Sequence, residues 1–216
     1  MFKNYILTSW RNLIKHKGYT GVNLLGLVLG ISAFIILGLY VWEDLSFNKF
    51  NSNYERIGRV VTIDKARGVS SQRVGVSYPA LGPALEENLP EIVESVRIIN
   101  QGQSTIRYNN ENYLVETSYL TENSFFKIFD FRLIRGSVDD VLTRPGTVVV
   151  TTNFADRVFG RRDIIGESIE NQQGNLLEVV GVMEDVPPSS HFEFELLQAM
   201  VAGEGQQGFS QFLESW

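Results

Sequence analysis

This sequence predicts an α+β domain, a mixed α/β fold, held outside the cytoplasm by a single membrane-spanning helix near the N-terminus. Three observations predict it. Residues 18–42 carry no charged side chain. Lys3, Arg11, Lys15 and Lys17 precede that run, with Glu43 and Asp44 directly after it. Beyond Asp44 the composition is that of a soluble domain, and apolar residues recur with both the strand period of two and the helical period.

The chain has 216 residues, 44% of them hydrophobic, enough for one anchor and one globular domain with a core of its own. At about 1.5 Å per residue, roughly 20 residues cross a hydrocarbon core of about 30 Å, so residues 18–42 suffice with some tilt. A buried helix of a soluble protein and a cleaved signal peptide are the competing readings. The run is longer than a signal core, and Leu39-Tyr40-Val41-Trp42 is bulky where cleavage wants small side chains. The basic flank places the N-terminus in the cytoplasm. Tyr40 and Trp42 suit the outer aromatic belt and Tyr19 the inner one. Within the span Gly26 and Gly30 stand four apart, a spacing that lets a second helix approach closely.

Residues 1–17 form a third region. Phe2, Ile6, Trp10, Leu13 and Ile14 recur at helical spacing among Lys3, Arg11, Lys15 and Lys17, which is the pattern of an amphipathic helix lying along the cytoplasmic interface. A plain extension of the spanning helix is the alternative, and Gly18 offers a bend between the two. The domain organisation read from the sequence is therefore 1–17, 18–42 and 43–216.

In the last region, residues 57–63 read as a strand followed by a polar loop over 65–71. A short helix is expected over 79–88, opening at Pro79, and a strand over 93–99. Residues 104–108 and 113–117 flank Asn109-Asn110-Glu111-Asn112, a hairpin turn because asparagine tolerates left-handed backbone. Residues 121–129 read as helical. Thr147–Thr151 is β-branched throughout and reads as a buried strand, after which Asn153 caps a helix that Gly160 ends. Residues 168–170 and 176–185 supply further strands around a turn at 171–175.

Several chemistries find no support. A formal charge of −6 without a basic stripe beyond the N-terminus speaks against nucleic acid, and no cysteine is present for a disulfide, a thiolate metal site or a thiol nucleophile. No phosphate-cradling Gly-x-x-x-x-Gly-Lys-Ser/Thr occurs, so ATP hydrolysis would reside in another chain. Gly203-Glu204-Gly205-Gln206-Gln207-Gly208 matches Gly-x-Gly-x-x-Gly literally, but without a clear preceding strand it reads as a polar loop. His16 and His191 are expected on opposite sides of the membrane and cannot share a metal. A hydrolase would need His191 with Ser189 or Ser190 and Asp185, a proximity that reflects loop composition more than a triad. Glu184, Asp185, Glu193 and Glu195 read as a solvated rim with a cation as the alternative. No catalytic, cofactor-binding or metal-ligating residue is assigned. Phe125, Phe126, Phe129 and Phe131 are a candidate interaction surface, with core packing the stronger reading.

Several segments together resemble the MacB/FtsX-like permeases of ABC transporters, in the long form common in Bacteroidetes-type bacteria. Trp10-Arg11-Asn12-Leu13-Ile14-Lys15-His16-Lys17-Gly18-Tyr19 with Asn23-Leu24-Leu25-Gly26-Leu27 is similar to the family's entry into its first membrane helix. Tyr40-Val41-Trp42-Glu43-Asp44-Leu45-Ser46-Phe47-Asn48-Lys49-Phe50 and Glu55-Arg56-Ile57-Gly58-Arg59-Val60 resemble its exit into the periplasmic core domain. Phe125-Phe126-Lys127-Ile128-Phe129-Asp130-Phe131, Arg135-Gly136, Phe159-Gly160, Ile165-Gly166-Glu167 and the stretch from Val180 to Phe192 follow in the family's order.

The resemblance implies a bacterial inner-membrane permease whose core domain relays motion driven by a cytoplasmic ATP-binding subunit, beside a second permease copy or subunit in the lipid bilayer. Lipoproteins, peptides and small toxic compounds are the cargo it implies. Family members continue into more of the core domain and further membrane helices, so a truncated chain with an uncovered strand edge is expected. A single-pass binding module without transport activity is the alternative.

Overall fold

The computed structural model describes residues 2–64, 72–203 and 207–215, and its contacts divide the chain into two units, Met1–Phe47 and Asn48–Trp216. The loop expected over 65–71 lies outside the described residues, as do Glu204, Gly205 and Gln206 of the glycine pattern.

The first unit is two helices, α1 (Phe2–Lys15) and α2 (Lys17–Ser46). The break falls at His16 (φ −112°, ψ 57°) and not at Gly18, which is helical. A bend there does not need glycine, because His16 takes a negative φ open to any residue. Its N–H still closes α1 on Asn12 C=O (3.1 Å) and its C=O already accepts Thr20 N–H (3.0 Å). The Thr20 hydroxyl donates to Leu13 C=O (3.0 Å), satisfying a carbonyl that the break leaves open. At 30 residues α2 is about 45 Å long, more than a hydrocarbon core needs, and none of its residues is buried.

The second unit contains an antiparallel ribbon, β1 (Thr62–Asp64) with β2 (Gln72–Val74), then α3 (Leu81–Asn88), β3 (Ile98–Tyr108), β4 (Glu111–Thr121), α4 (Phe125–Ile128) and β5 (Leu133–Arg135). It continues with β6 (Thr147–Thr151), α5 (Thr152–Phe159), β7 (Ser168–Glu170), β8 (Leu176–Met183), β9 (Leu196–Ala199) and α6 (Gln207–Leu213). The main sheet runs β5-β8-β6-β9-β4-β3-β7, and β7 also pairs with β8. The pairings therefore close a circuit. β8 makes this possible by lending Leu176, Leu177 and Glu178 to β7, and Val182 and Met183 to β5, on the side away from β6. Among these seven strands uncovered edge remains on β5, which pairs with β8 alone, and along β3, which meets β7 only at Arg107. The circuit closes through the length of β3 and β4, which carries their hairpin far enough to reach β7 at Arg107↔Glu170.

Expectation and structure differ where a side chain from elsewhere takes over a backbone group. The strand expected over 93–99 starts only at Ile98, because the Glu86 carboxylate accepts Ser95 N–H and Ser124 Oγ donates to Ser95 C=O (2.8 Å). Of the strand expected over 57–63, only Thr62 and Ile63 have a ladder partner. The helix expected over 121–129 is one turn, because Thr121 still pairs with Ile98 on one side and Ala199 on the other. The hairpin turn is the two residues Asn109 (φ 51°) and Asn110 (φ 65°), both left-handed, which matches the twist of the flanking strands. Thr151, not Asn153, caps α5: β6 runs straight into the helix, and the Thr151 hydroxyl accepts Phe154 N–H (3.3 Å). Gly160 ends that helix at φ 65°.

All five residues of β6 are buried, and alternation sends Val148 and Val150 to one core and Val149 to the other. The first core joins them to Phe154, Ala155 and Val158 of α5 and to Ile106 and Val115 of the long hairpin. The second is aromatic. Phe125 stands at its centre, stacked on Phe131 (5.2 Å) and meeting Phe129 (5.0 Å), Phe192 (5.6 Å) and Phe194 (5.9 Å).

Candidate functional site

Residues 48–52, the first of the second unit, are held within it by a group of side-chain hydrogen bonds. Asn48 adopts φ 59°, a conformation that asparagine tolerates better than most residues, and this turns its peptide toward the loop after β8. Its N–H donates to Ser189 C=O (2.7 Å), and its Oδ1 accepts His191 N–H (3.0 Å). With Oδ1 held by a backbone donor, the Asn48 amide nitrogen faces His191 Nδ1 (2.7 Å).

Asn51 makes the next tie. It is 3% exposed, donates through Nδ2 to Asn48 C=O (3.1 Å) and accepts Asp130 N–H at Oδ1 (3.0 Å). Asp130 returns the bond by accepting Ser52 N–H at Oδ2 (2.5 Å). Phe50 packs edge-on against Phe131 (5.3 Å). Three segments distant in sequence, 48–52, 130–131 and 187–192, thus form one joint. The joint is rooted in the aromatic core, since the Phe192 ring lies 5.0 Å from Phe129. The loop itself is shaped by buried Ser190, whose N–H donates to Pro187 C=O (2.9 Å) and whose Oγ accepts Phe192 N–H (3.0 Å).

Beside this loop is a cleft of about 260 Å³ lined by residues that include Thr151, Asn153, Asp185, Phe192 and Glu195. Two of its carboxylates are engaged, Asp185 accepting Asn153 N–H (2.8 Å) and Glu195 pairing with Arg157 (2.6 Å), and Glu193 lines it beside them. Hydrogen bonding to Glu195 is the largest cause holding the Arg157 guanidinium above its ordinary pKa. Glu184 pairs with Arg132 (3.2 Å). Among the described residues no three His, Asp or Glu side chains converge on a metal position. His191 Nδ1, which a hydrolase would turn to its acid, meets Asn48.

Phe125, Phe126, Phe129 and Phe131 are all buried, so they present no surface to a partner and belong to the second core. Their apolar rings gain more from leaving water than an exposed run would. Gly26 and Gly30 lie on α2 with nothing within 4 Å of where a Cβ would stand. His16 and His191 belong to different units. Asn48, Asn51 and Asp130 carry the joint, and the sequence assigned them no role. The one local signal was two asparagines, three residues apart, just beyond a membrane span.

A helix long and apolar enough to cross a membrane, followed by a mixed α/β domain, is the arrangement of a membrane-anchored protein. Residues 20–206 match the MacB-like periplasmic core domain family, and the chain belongs to that family. The family expected from the sequence motifs is thus the one found. Among solved structures, a domain of a permease protein from Porphyromonas gingivalis is similar in fold, with a TM-score of 0.60 and 20% identity over 72% of this chain. This chain spans 64% of that domain's length. The periplasmic region of MacB from Actinobacillus actinomycetemcomitans aligns with a TM-score of 0.46 and 16% identity, covering 68% of each chain. No curated protein matches the chain.

Proposed function

We propose that the chain is part of a permease subunit of an ABC transporter. Its domain over 43–216 receives, through the joint at Asn48 and Asn51, movement of the helix over 18–42 that a cytoplasmic ATP-binding subunit drives. The observation that carries this reading is the joint itself. A flexible tether would need no buried asparagine, whereas a relay must resist load at the point where the membrane helix ends. Gly26 and Gly30 offer a packing face to a helix of a second permease copy or subunit. Residues 1–17 lie along the cytoplasmic face of a bacterial inner membrane, with the main domain in the periplasm.

Orientation is tested by fusing a reporter that is active only outside the cytoplasm after Phe50. Activity is expected, because every basic residue before Glu43 precedes the spanning run. Activity in the cytoplasm alone would reverse the topology.

The relay is tested in the transporter purified whole. These 216 residues hold no cysteine, so with any cysteine elsewhere in the transporter replaced by serine, Val93→Cys, at a position 77% exposed, gives a unique site for an environment-sensitive dye. ATP is expected to change the dye's emission. Asn51→Ala, which leaves Asp130 N–H and Asn48 C=O without that partner at about 1–3 kcal/mol, is expected to abolish the change while ATP hydrolysis continues. A dye response that ignores ATP, or that survives Asn51→Ala, would remove the relay from the joint.

A further inference from the structure

We propose that α1 is a docking surface for anionic lipid headgroups, so that its attachment to the membrane depends on lipid charge. This rests on the reading that α2 crosses a membrane, and it deepens the placement of residues 1–17 along the interface by naming what they recognise.

The first support is charge. Residues 1–42 hold four basic residues and no acidic one, in a chain whose formal charge is −6. Such segregation puts the positive charge of this region where α1 meets the membrane plane. The second is the helix face. At about 100° per residue, the sequence positions of Phe2, Ile6, Trp10, Leu13 and Ile14 fall within one arc, which also takes in Lys3 near its edge, and those of Arg11 and Lys15 fall one turn apart beyond its border. A helix lying in the interface buries such an arc among acyl chains, while the long Arg and Lys side chains reach the phosphates.

The third support is the break at His16. One unbroken helix would carry α1 along the axis of α2, with its basic residues stacked away from the surface. The non-helical backbone at His16 ends α1 before α2 begins, and the Thr20 hydroxyl closes on Leu13 C=O at the turn. Of these apolar positions, Trp10 is 65% exposed, Leu13 49% and Ile14 51%. A protein partner would be an alternative occupant. The absence of any acidic residue to select one, together with direct continuity with the span, favours the lipid surface.

The test uses the full chain with Trp42→Phe and Trp216→Phe, which leave Trp10 as the single tryptophan. It is reconstituted into phosphatidylcholine vesicles, and into the same vesicles containing about a quarter phosphatidylglycerol, an anionic lipid. With phosphatidylglycerol, Trp10 emission is expected to shift to the blue and resist acrylamide. The ratio of docked to free α1 is expected to fall about fivefold for each charge removed by Arg11→Gln and Lys15→Gln, and to fall with added salt. Equal protection in both vesicles, or protection that ignores the two substitutions and salt, would overturn the recognition of headgroup charge. Equal exposure in both would overturn docking altogether. Flotation with the vesicles after carbonate washing separates the failures. A chain that floats with Trp10 exposed defeats this proposal alone, while a chain that does not float defeats the membrane reading and this proposal with it.

Discussion

Phe125→Ala is expected to destabilise the second unit by about 3–5 kcal/mol, a large share of the roughly 5–15 kcal/mol that holds a typical domain folded. The side chain is 0% exposed and meets Phe126, Phe129, Phe131, Phe192 and Phe194 at centroid distances of 5.0 to 5.9 Å. Its removal takes away transfer energy and leaves a cavity that five rings, each held by its own neighbours, cannot collapse to fill. The damage also reaches the joint, because Phe192 and Phe131 lean on Phe125 while adjoining His191 and Asp130. Urea unfolding of the full chain in a nonionic detergent, followed by near-ultraviolet circular dichroism, reads both effects. Phe125→Leu, which keeps most of the volume, is expected to lose much less. A loss below about 1 kcal/mol for Phe125→Ala would mean that the ring is not the centre of this core.

Gly136→Ala is expected to be nearly as damaging, through a different cause. Gly136 has φ +93°, and a Cβ there would come 2.6 Å from the carbonyl oxygen of Val180 and 3.1 Å from Cα of Gly181. Both neighbours are backbone of β8, which cannot turn aside as the end of a side chain could. Strain of about 1–3 kcal/mol from the left-handed backbone adds to the cost of separating β5 from β8. The same unfolding measurement should show a loss of at least about 2 kcal/mol. Hydrogen exchange should rise in β5, whose pairings are Leu133↔Met183 and Arg135↔Val182. Wild-type stability in Gly136→Ala would mean that β5 moves away from β8 at negligible cost.

These two positions show different limits of reading the sequence. The phenylalanine run announced itself, and both of its readings were open until the fold chose the core. What chose was Phe192 and Phe194, from a loop over 60 residues away, which enclose the rings. Arg135-Gly136 stood out as a family landmark, while the carbonyl that makes glycine necessary lies on β8. The joint was the least legible feature. Its elements were all in view, but Asn48 meets His191 across 143 residues, and Asn51 meets Asp130 across 79. No local pattern records pairings at that distance.

The sequence by itself determined the features whose causes are local. The long apolar helix follows from composition, the buried strand β6 from an unbroken β-branched run, and the left-handed hairpin turn from two adjacent asparagines. In each case the stabilising term acts between a residue and its own backbone, its solvent or its near neighbours. Only the tertiary structure decided where strand 93–99 begins, which residue caps α5, that the sheet closes on itself, and that residues 48–52 are fixed to the domain. Those outcomes depend on hydrogen-bond partners and packing surfaces that folding brings from elsewhere in the chain. A backbone N–H such as that of Ser95 goes to whichever acceptor arrives, here Glu86 in place of a neighbouring strand.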